Sequence, residues 1–171
     1  MATLVVAFLG EDRPGLVHAL AEVLSDHGGN WEDGRTAVLR GSFTGVVQVS
    51  VAHGREEALI EDFRALDGML DVIARPAAEA DTPESSAVRL DLIGRDHPGI
   101  VEDITAVIAR CGVNVDRLTT STSEAPMSDG RIFRCEALLG VPDGVDLDTL
   151  GTELEDLARD LVVDLTLASV S

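Results

Sequence analysis

Two short segments that combine an acid, a proline and a glycine have the residue types best suited to binding a small charged molecule. They are GEDRPGLV at 10–17, here the first corner, and GRDHPGIV at 94–101, the second corner. A proline is pre-organised for the start of a helix, and the glycine after it leaves neighbouring N–H groups uncovered. Such N–H groups at a helix N-terminus attract a carboxylate, whereas Asp12 and Asp96 attract a cationic donor. Together the two preferences suit a zwitterion, and a free α-amino acid is the simplest one.

A second interpretation is that Asp12 and Asp96 only cap the helices that follow, as Asp often does. The recurrence of the corner at matched positions favours the ligand. Each copy also has an asparagine 18 residues after its aspartate, Asn30 and Asn114, where a strand is predicted to begin. An asparagine at that position can equally well form a turn.

The elements that must position the corners follow one another in the same order in both copies. Short apolar or alternating runs predict strands, and apolar residues at helical spacing before glycine predict helices. In the first copy these are strand 3–9, a helix from Leu16 to Gly28, strands 30–40 and 43–52, a helix with Leu59, Phe63 and Leu66, and strand 69–74. In the second copy they are strand 87–93, helix 100–111, strands 113–122 and 131–140, helix 147–161 and strand 162–168.

Each copy is therefore predicted to be a βαββαβ unit of the α+β class. This is the ferredoxin-like order, with both helices on one face of an antiparallel sheet. We expect an N-terminal domain at 1–77, a linker at 78–86 and a C-terminal domain at 87–171. The first strand has apolar residues on both sides, with Val5 and Ala7 facing away from Val6 and Phe8, so the second face of its sheet is expected to be covered by the sister domain or by another subunit.

The charge balance excludes several classes of function. The 171 residues include 31 acids against 13 bases, a formal net charge of −18, which would repel a phosphate backbone. We therefore expect no direct binding to nucleic acid. No apolar run reaches the roughly 18 residues of a membrane helix, and the N-terminal residues lack the features of a signal peptide. The expected location is the cytoplasm, with no membrane association.

The remaining chemistry-bearing residues form no recognisable catalytic or metal pattern. The four histidines are scattered, so no metal site and no cofactor are expected, and Cys111 and Cys135 are predicted to be buried free thiols. RNA-recognition domains share the element order but stack bases on aromatic residues, which are few here. Acylphosphatases also share it and need an arginine in the first loop, which leaves Arg13 and Arg95 as a minor enzymatic alternative.

The duplicated corner together with the later asparagine resembles the ACT domain, an amino-acid-sensing regulatory module of the ferredoxin-like fold. Two copies would cover nearly the whole chain. The resemblance implies that the corner, and the asparagine of a neighbouring domain, enclose the ligand between them. By motif, the implied ligand-binding residues are Asp12, Gly15, Leu16 and Asn30 in the first copy, and Asp96, Gly99, Ile100 and Asn114 in the second. Many amino-acid-binding members have Asn where Asp12 and Asp96 stand.

A narrower resemblance is to the tandem-ACT family named for the glycine cleavage system transcriptional repressor. It rests on Asp33-x-Arg35, Gly41-x-Phe43 and the segment APMS at 125–128. It implies a non-enzymatic regulator that senses a small amino acid, glycine being one candidate, and that acts through a protein partner such as a transcription factor. A homodimer is also compatible with it. The competing hypothesis is a pure protein-interaction module that binds no ligand.

Overall fold

A computed structural model describes residues 1–78, 85–124 and 130–169. The contacts divide the chain into two compact units, Met1–Ala80 and Asp81–Ser171. Most of the predicted linker and the APMS segment lie outside the described residues, so both stay predictions. Ser85 and Ser86, which were assigned to the linker, belong to the first strand of the second unit.

The N-terminal domain has the predicted βαββαβ order. Its sheet has the strand order β2-β3-β1-β4, and every neighbouring pair is antiparallel. The elements are β1 (Ala2–Glu11), α1 (Leu16–Asp26), β2 (Asn30–Leu39), β3 (Ser42–Val51), α2 (Glu56–Arg64) and β4 (Asp71–Pro76).

The C-terminal domain repeats this topology, with the antiparallel strand order β6-β7-β5-β8. Its elements are β5 (Ser85–Arg95), α3 (Ile100–Arg110), β6 (Asn114–Glu124), β7 (Arg131–Pro142), α4 (Leu147–Leu161) and β8 (Val163–Ser169). The predicted fold class is confirmed. The strands β1 and β5 are longer than predicted, because the polar residues Glu11 and Ser85 at their ends continue the pairing with β3 and β7.

Alternation along β1, β3, β5 and β7 separates a helix-covered face from an outer face, whereas β2 and β6 are exposed along nearly their whole length. In β1, the side chains of Leu4, Val6 and Phe8 are at most 3% exposed, and they pack with apolar residues of β3, α1 and α2. Their neighbours Val5 and Leu9 are 39% and 49% exposed. The C-terminal domain builds a separate core in the same way. The apolar residues that the sequence places on both sides of β1 are thus divided between a buried face and an exposed face, and the expected cover of the exposed face stays a prediction.

Candidate functional site

The two corners have the same backbone geometry. After β1, the N–H of Asp12 donates to the carbonyl of Gly41 at 2.8 Å. The chain then turns into α1 through Gly15, which is the N-cap residue at φ 97°. After β5, the N–H of Asp96 donates to the carbonyl of Arg131 at 2.8 Å, and Gly99 is the N-cap of α3 at φ 93°.

Neither aspartate caps its helix. In the described part of the chain, no side chain accepts a hydrogen bond at the N-terminus of α1 or α3. The helix α4 shows the contrast, since its N-cap Asp146 accepts from the N–H of Asp148 at 3.0 Å and from the hydroxyl of Thr149 at 2.7 Å. The capping interpretation of Asp12 and Asp96 is therefore wrong, and the corners keep N–H groups available for an acceptor from outside.

The corner glycines have two separate consequences. Their φ angles are positive, a conformation that other residues adopt only at a cost in free energy. The sequence analysis did not predict this conformation. A Cβ atom built on Gly15 or Gly99 would meet nothing within 4 Å. The space beside each corner glycine is therefore open, as a ligand that approaches the backbone there requires.

The residues after the glycines contribute backbone only. Leu16 and Ile100 are both 3% exposed and belong to the two cores. Because the side chains of these two predicted ligand residues are buried, only their backbone N–H groups can donate to a bound molecule. In the second corner the N–H of Ile100 makes a long bond of 3.4 Å to the carbonyl of His97.

The two corner carboxylates have different neighbours. A carboxylate oxygen of Asp96 lies 3.6 Å from Nε of Arg131, the residue whose carbonyl accepts from the N–H of Asp96. The matched position in the N-terminal domain is Gly41, which has no side chain to offer. The negative charge of Asp96 is therefore partly compensated by a cation, whereas Asp12 has no such neighbour at this position.

Within one domain, the asparagine lies far from the corner. Asn30 pairs with Ser50, and the corner follows the pair Glu11–Ser42 at the other end of β3. Eight residues of strand separate Ser50 from Ser42, which is about 26 Å at roughly 3.3 Å per residue. Asn114 is separated from the second corner in the same way. A corner and an asparagine of the same domain therefore cannot contact one ligand.

Each asparagine instead contacts an acid at a β-bulge two residues later. The side-chain N–H of Asn30 donates to Glu32 at 3.3 Å, and that of Asn114 donates to Asp116 at 2.7 Å. Glu32 and Asp116 are the extra residues at the register shifts in β2 and β6. The sequence reasoning missed these acids, although the repeated spacing Asn-x-acid was visible.

The first bulge acid has a second partner. Ser50 donates its hydroxyl to Glu32 at 2.5 Å. This bond, followed by the bond from Asn30, lowers the pKa of Glu32 below its ordinary value of 4.5. In the C-terminal domain Gly140 takes the place of Ser50, and a Cβ there would lie 2.8 Å from a carboxylate oxygen of Asp116.

A cleft of about 270 Å³ adjoins the first corner. It is lined by Leu9, Gly10, Glu11 and Arg13, together with Gly68, Met69 and Leu70 of the turn before β4 and Asp71 at the start of β4. Asp12 and Gly15 do not line it, so it lies beside the predicted ligand residues and does not contain them. At the matched position in the second domain, a Cβ on Gly94 would lie 2.0 Å from a methyl carbon of Val163, and a Cβ on Gly10 would lie 2.8 Å from a methyl carbon of Leu70, so both glycines are tightly packed.

The described residues include neither a cluster suited to a metal ion nor a helix suited to crossing a membrane. No group of three or more His, Cys, Asp and Glu side chains is arranged to hold a metal ion. No helix there is both long and apolar enough to cross a membrane. Cys111 is half-buried and Cys135 buried, both as free thiols, and desolvation raises the pKa of each thiol.

Comparison with known proteins assigns the family. Residues 2–75 match the sequence profile of the ACT domain. The glycine cleavage system transcriptional repressor of Escherichia coli (strain K12) is 32% identical over 126 residues, which are 71% of this chain and 66% of that protein. Residues 2–75 are therefore an ACT domain, and the second unit repeats the same fold. The aligned region thus spans slightly less than two thirds of the repressor it resembles.

Solved structures match the whole length of this ACT-domain chain. A crystal structure described as an unknown protein from Galdieria sulphuraria is 29% identical, with a TM-score of 0.90 over 99% of both chains. A candidate glycine cleavage system transcriptional repressor has a TM-score of 0.69 at 21% identity, over 99% of this chain and 98% of that one. The second likeness shows the fold alone.

Proposed function

We propose that this chain is a non-enzymatic regulatory protein that binds a small amino acid at its ACT corners. The observation that carries the proposal is the pair of open, uncapped helix N-termini, each with an aspartate three residues before the N-cap glycine. The N–H groups at Gly15 and Gly99 would receive the α-carboxylate. The side chains of Asp12 and Asp96 would receive the α-ammonium.

The asparagines take part in this proposal from outside the domain that carries the corner. Because the register places Asn30 and Asn114 about 26 Å from their own corners, the amide that completes a corner must come from a different ACT domain. The bond of each asparagine to its bulge acid occupies only an N–H of the amide. The amide oxygen stays available to accept from the ammonium group of the ligand.

The chain would pass the binding signal to a protein partner. A ligand that contacts two domains favours the one arrangement of the domains in which both contacts form, and a partner can distinguish that arrangement from others. The similarity to a transcriptional repressor supports a partner of the transcription-factor class, and the net charge of −18 argues against direct contact with DNA. Glycine is the first ligand to test because of the name of that relative.

Isothermal titration calorimetry of the full chain against each common amino acid tests the proposal. We expect one small amino acid to bind, and Asp12→Ala and Asp96→Ala each to remove one class of site. Glu22→Ala is the matched control, because it removes an exposed acid of α1 outside the corner.

Two results would contradict the proposal. Heat with none of the amino acids would favour the pure interaction module. Unchanged affinity in the double variant of Asp12 and Asp96 would remove the corners from the function. Asn30→Ala tests the part of the proposal that concerns a second domain. Because Asn30 cannot reach the corner of its own domain, loss of binding in this variant would support a site that another ACT domain completes.

A further inference from the structure

The outer face of the N-terminal sheet carries a contiguous apolar patch that the proposed ligand site does not use. Val46 of β3 pairs with Ala7 of β1, and Ala7 pairs with Ile73 of β4, so the three lie side by side across the sheet. Val5 and Leu9 flank Ala7 along β1. These five residues, here called the apolar patch, are all exposed, with Ile73 at 60% and Val46 at 42%.

The matched face of the C-terminal sheet is charged. The register places Arg89, Asp91, Glu136 and Thr166 where the apolar patch has Val5, Ala7, Val46 and Ile73, while Leu9 has an apolar counterpart, Ile93. Arg89 contacts Asp91 at 2.8 Å and Glu136 at 3.7 Å. Such a network suits a face in contact with water. The same backbone thus tolerates a polar surface here, so the fold alone does not require the apolar patch.

The two edge strands of the N-terminal sheet carry opposite charges in one row of paired residues across the sheet. Asp33 of β2 pairs with Gln48 of β3, Gln48 with Val5 of β1, and Val5 with Arg75 of β4. These paired side chains share the outer face. One pair further along, Arg35 of β2 lies beside Val46, and on β4 Asp71 pairs with Leu9, so each edge of the apolar patch carries one acid and one base.

We infer that the apolar patch is the surface through which two copies of this chain associate face to face. A two-fold axis parallel to the strands, between β1 and β3, exchanges the two outer strands. It brings Asp33 of each copy opposite Arg75 of the other, which makes two symmetric ion pairs around a buried apolar centre. An isologous contact of this kind closes as a dimer. The inference does not depend on the ligand-binding proposal.

The size of the face fits a reversible dimer. Three strands of ten residues and β4 with six residues, about 4.8 Å apart at about 3.3 Å per residue, cover roughly 570 Å². The two copies together would bury roughly 1,100 Å², which is in the range of weak or transient interfaces. The net charge of −18 makes two copies repel each other, so the association is best measured near 0.15 M salt, where charges more than about 8 Å apart are screened.

Sedimentation equilibrium of the full chain with Val46→Glu tests the inference. Glutamate is the residue that the second domain has at this position of its own β7, so a folded variant is expected, and circular dichroism verifies it. We expect the wild type to be a concentration-dependent dimer and Val46→Glu to be a monomer. Val17→Glu is the matched control, because Val17 is 47% exposed on α1, which covers the other face of the same sheet. It should leave the dimer intact.

A charge-reversal pair tests the geometry separately. Asp33→Arg alone and Arg75→Asp alone should each weaken the dimer at least tenfold, since each places like charges opposite one another. The double variant restores both pairs and should return the dissociation constant to within a few-fold of the wild-type value.

Three outcomes would overturn the inference. One is a wild type that stays monomeric at every concentration tested. Another is a dimer that survives Val46→Glu, because that dimer forms through another surface. The third is an equal effect of Val46→Glu and Val17→Glu. A double charge variant as weak as the single ones would reject the two-fold arrangement.

Discussion

The two domains share one backbone design and differ in what they present on their surfaces. Both bury alternate side chains of their two central strands under two helices, and both turn into the first helix through a left-handed glycine. Their outer sheet faces differ, being apolar in the N-terminal domain and salt-bridged in the C-terminal one. Inward-facing residues and turn glycines therefore specify the fold, whereas outward-facing residues can differ between the domains and can serve separate functions.

The largest expected effects come from the two cores, which share no residue in the described chain. Leu20→Ala and Ile104→Ala remove matched side chains that are 1% and 2% exposed. Each should cost about 3 kcal/mol in the free energy of unfolding of its own domain. Hydrogen exchange should show lower protection in the domain that carries the change. Equal loss of protection in both domains would contradict the independence of the cores.

Intermediate effects are expected at the corner glycines. Gly15→Ala and Gly99→Ala meet no steric obstacle, so their cost arises from the positive φ alone and should be about 1–2 kcal/mol in both domains. Gly130→Ala is the control, since its nearest atom is 3.9 Å away and its φ is not in the positive region. Thermal unfolding measures all three. If Gly15→Ala is as mild as the control, the left-handed geometry of the first corner is wrong.

The smallest effects on stability are expected at two aspartates, the capping residue Asp146 and the corner residue Asp12. Hydrogen bonds from Thr149 and from the N–H of Asp148 lower the pKa of Asp146 below its ordinary value of 3.8. Its contribution to stability is therefore complete above that value and is lost as the pH falls through the lowered pKa. Asp146→Ala should lower the midpoint of thermal unfolding at neutral pH and lessen the acid-induced loss.

Asp12→Ala is the comparison for that experiment. It removes a carboxylate that caps nothing in the described structure, so the unfolding midpoint should change less than in Asp146→Ala. An equal loss at neutral pH would mean that Asp12 stabilises α1 after all.

The elements could be predicted from the sequence because they depend on local spacing. Leu16, Leu20 and Leu24 recur at helical intervals, and Val47, Val49 and Val51 alternate as a half-buried strand does. Both runs form the predicted elements. The corner was also recognisable, because its residues are adjacent in the chain. The bulge acids Glu32 and Asp116 were missed, because a bulge depends on the pairing of two strands, which a single run of residues does not reveal.

The sequence alone determined the two βαββαβ units, the inward faces of alternating strands such as β3 and the position of both corners, since each of these follows from periodicity and turn chemistry within a few residues. Only the tertiary structure decided that the corner aspartates leave their helices uncapped and that each asparagine lies at the opposite end of the sheet from its own corner. It also decided that Val5, Val46 and Ile73 meet on one surface. The physical reason is strand register, which sets the neighbours of residues far apart in the chain.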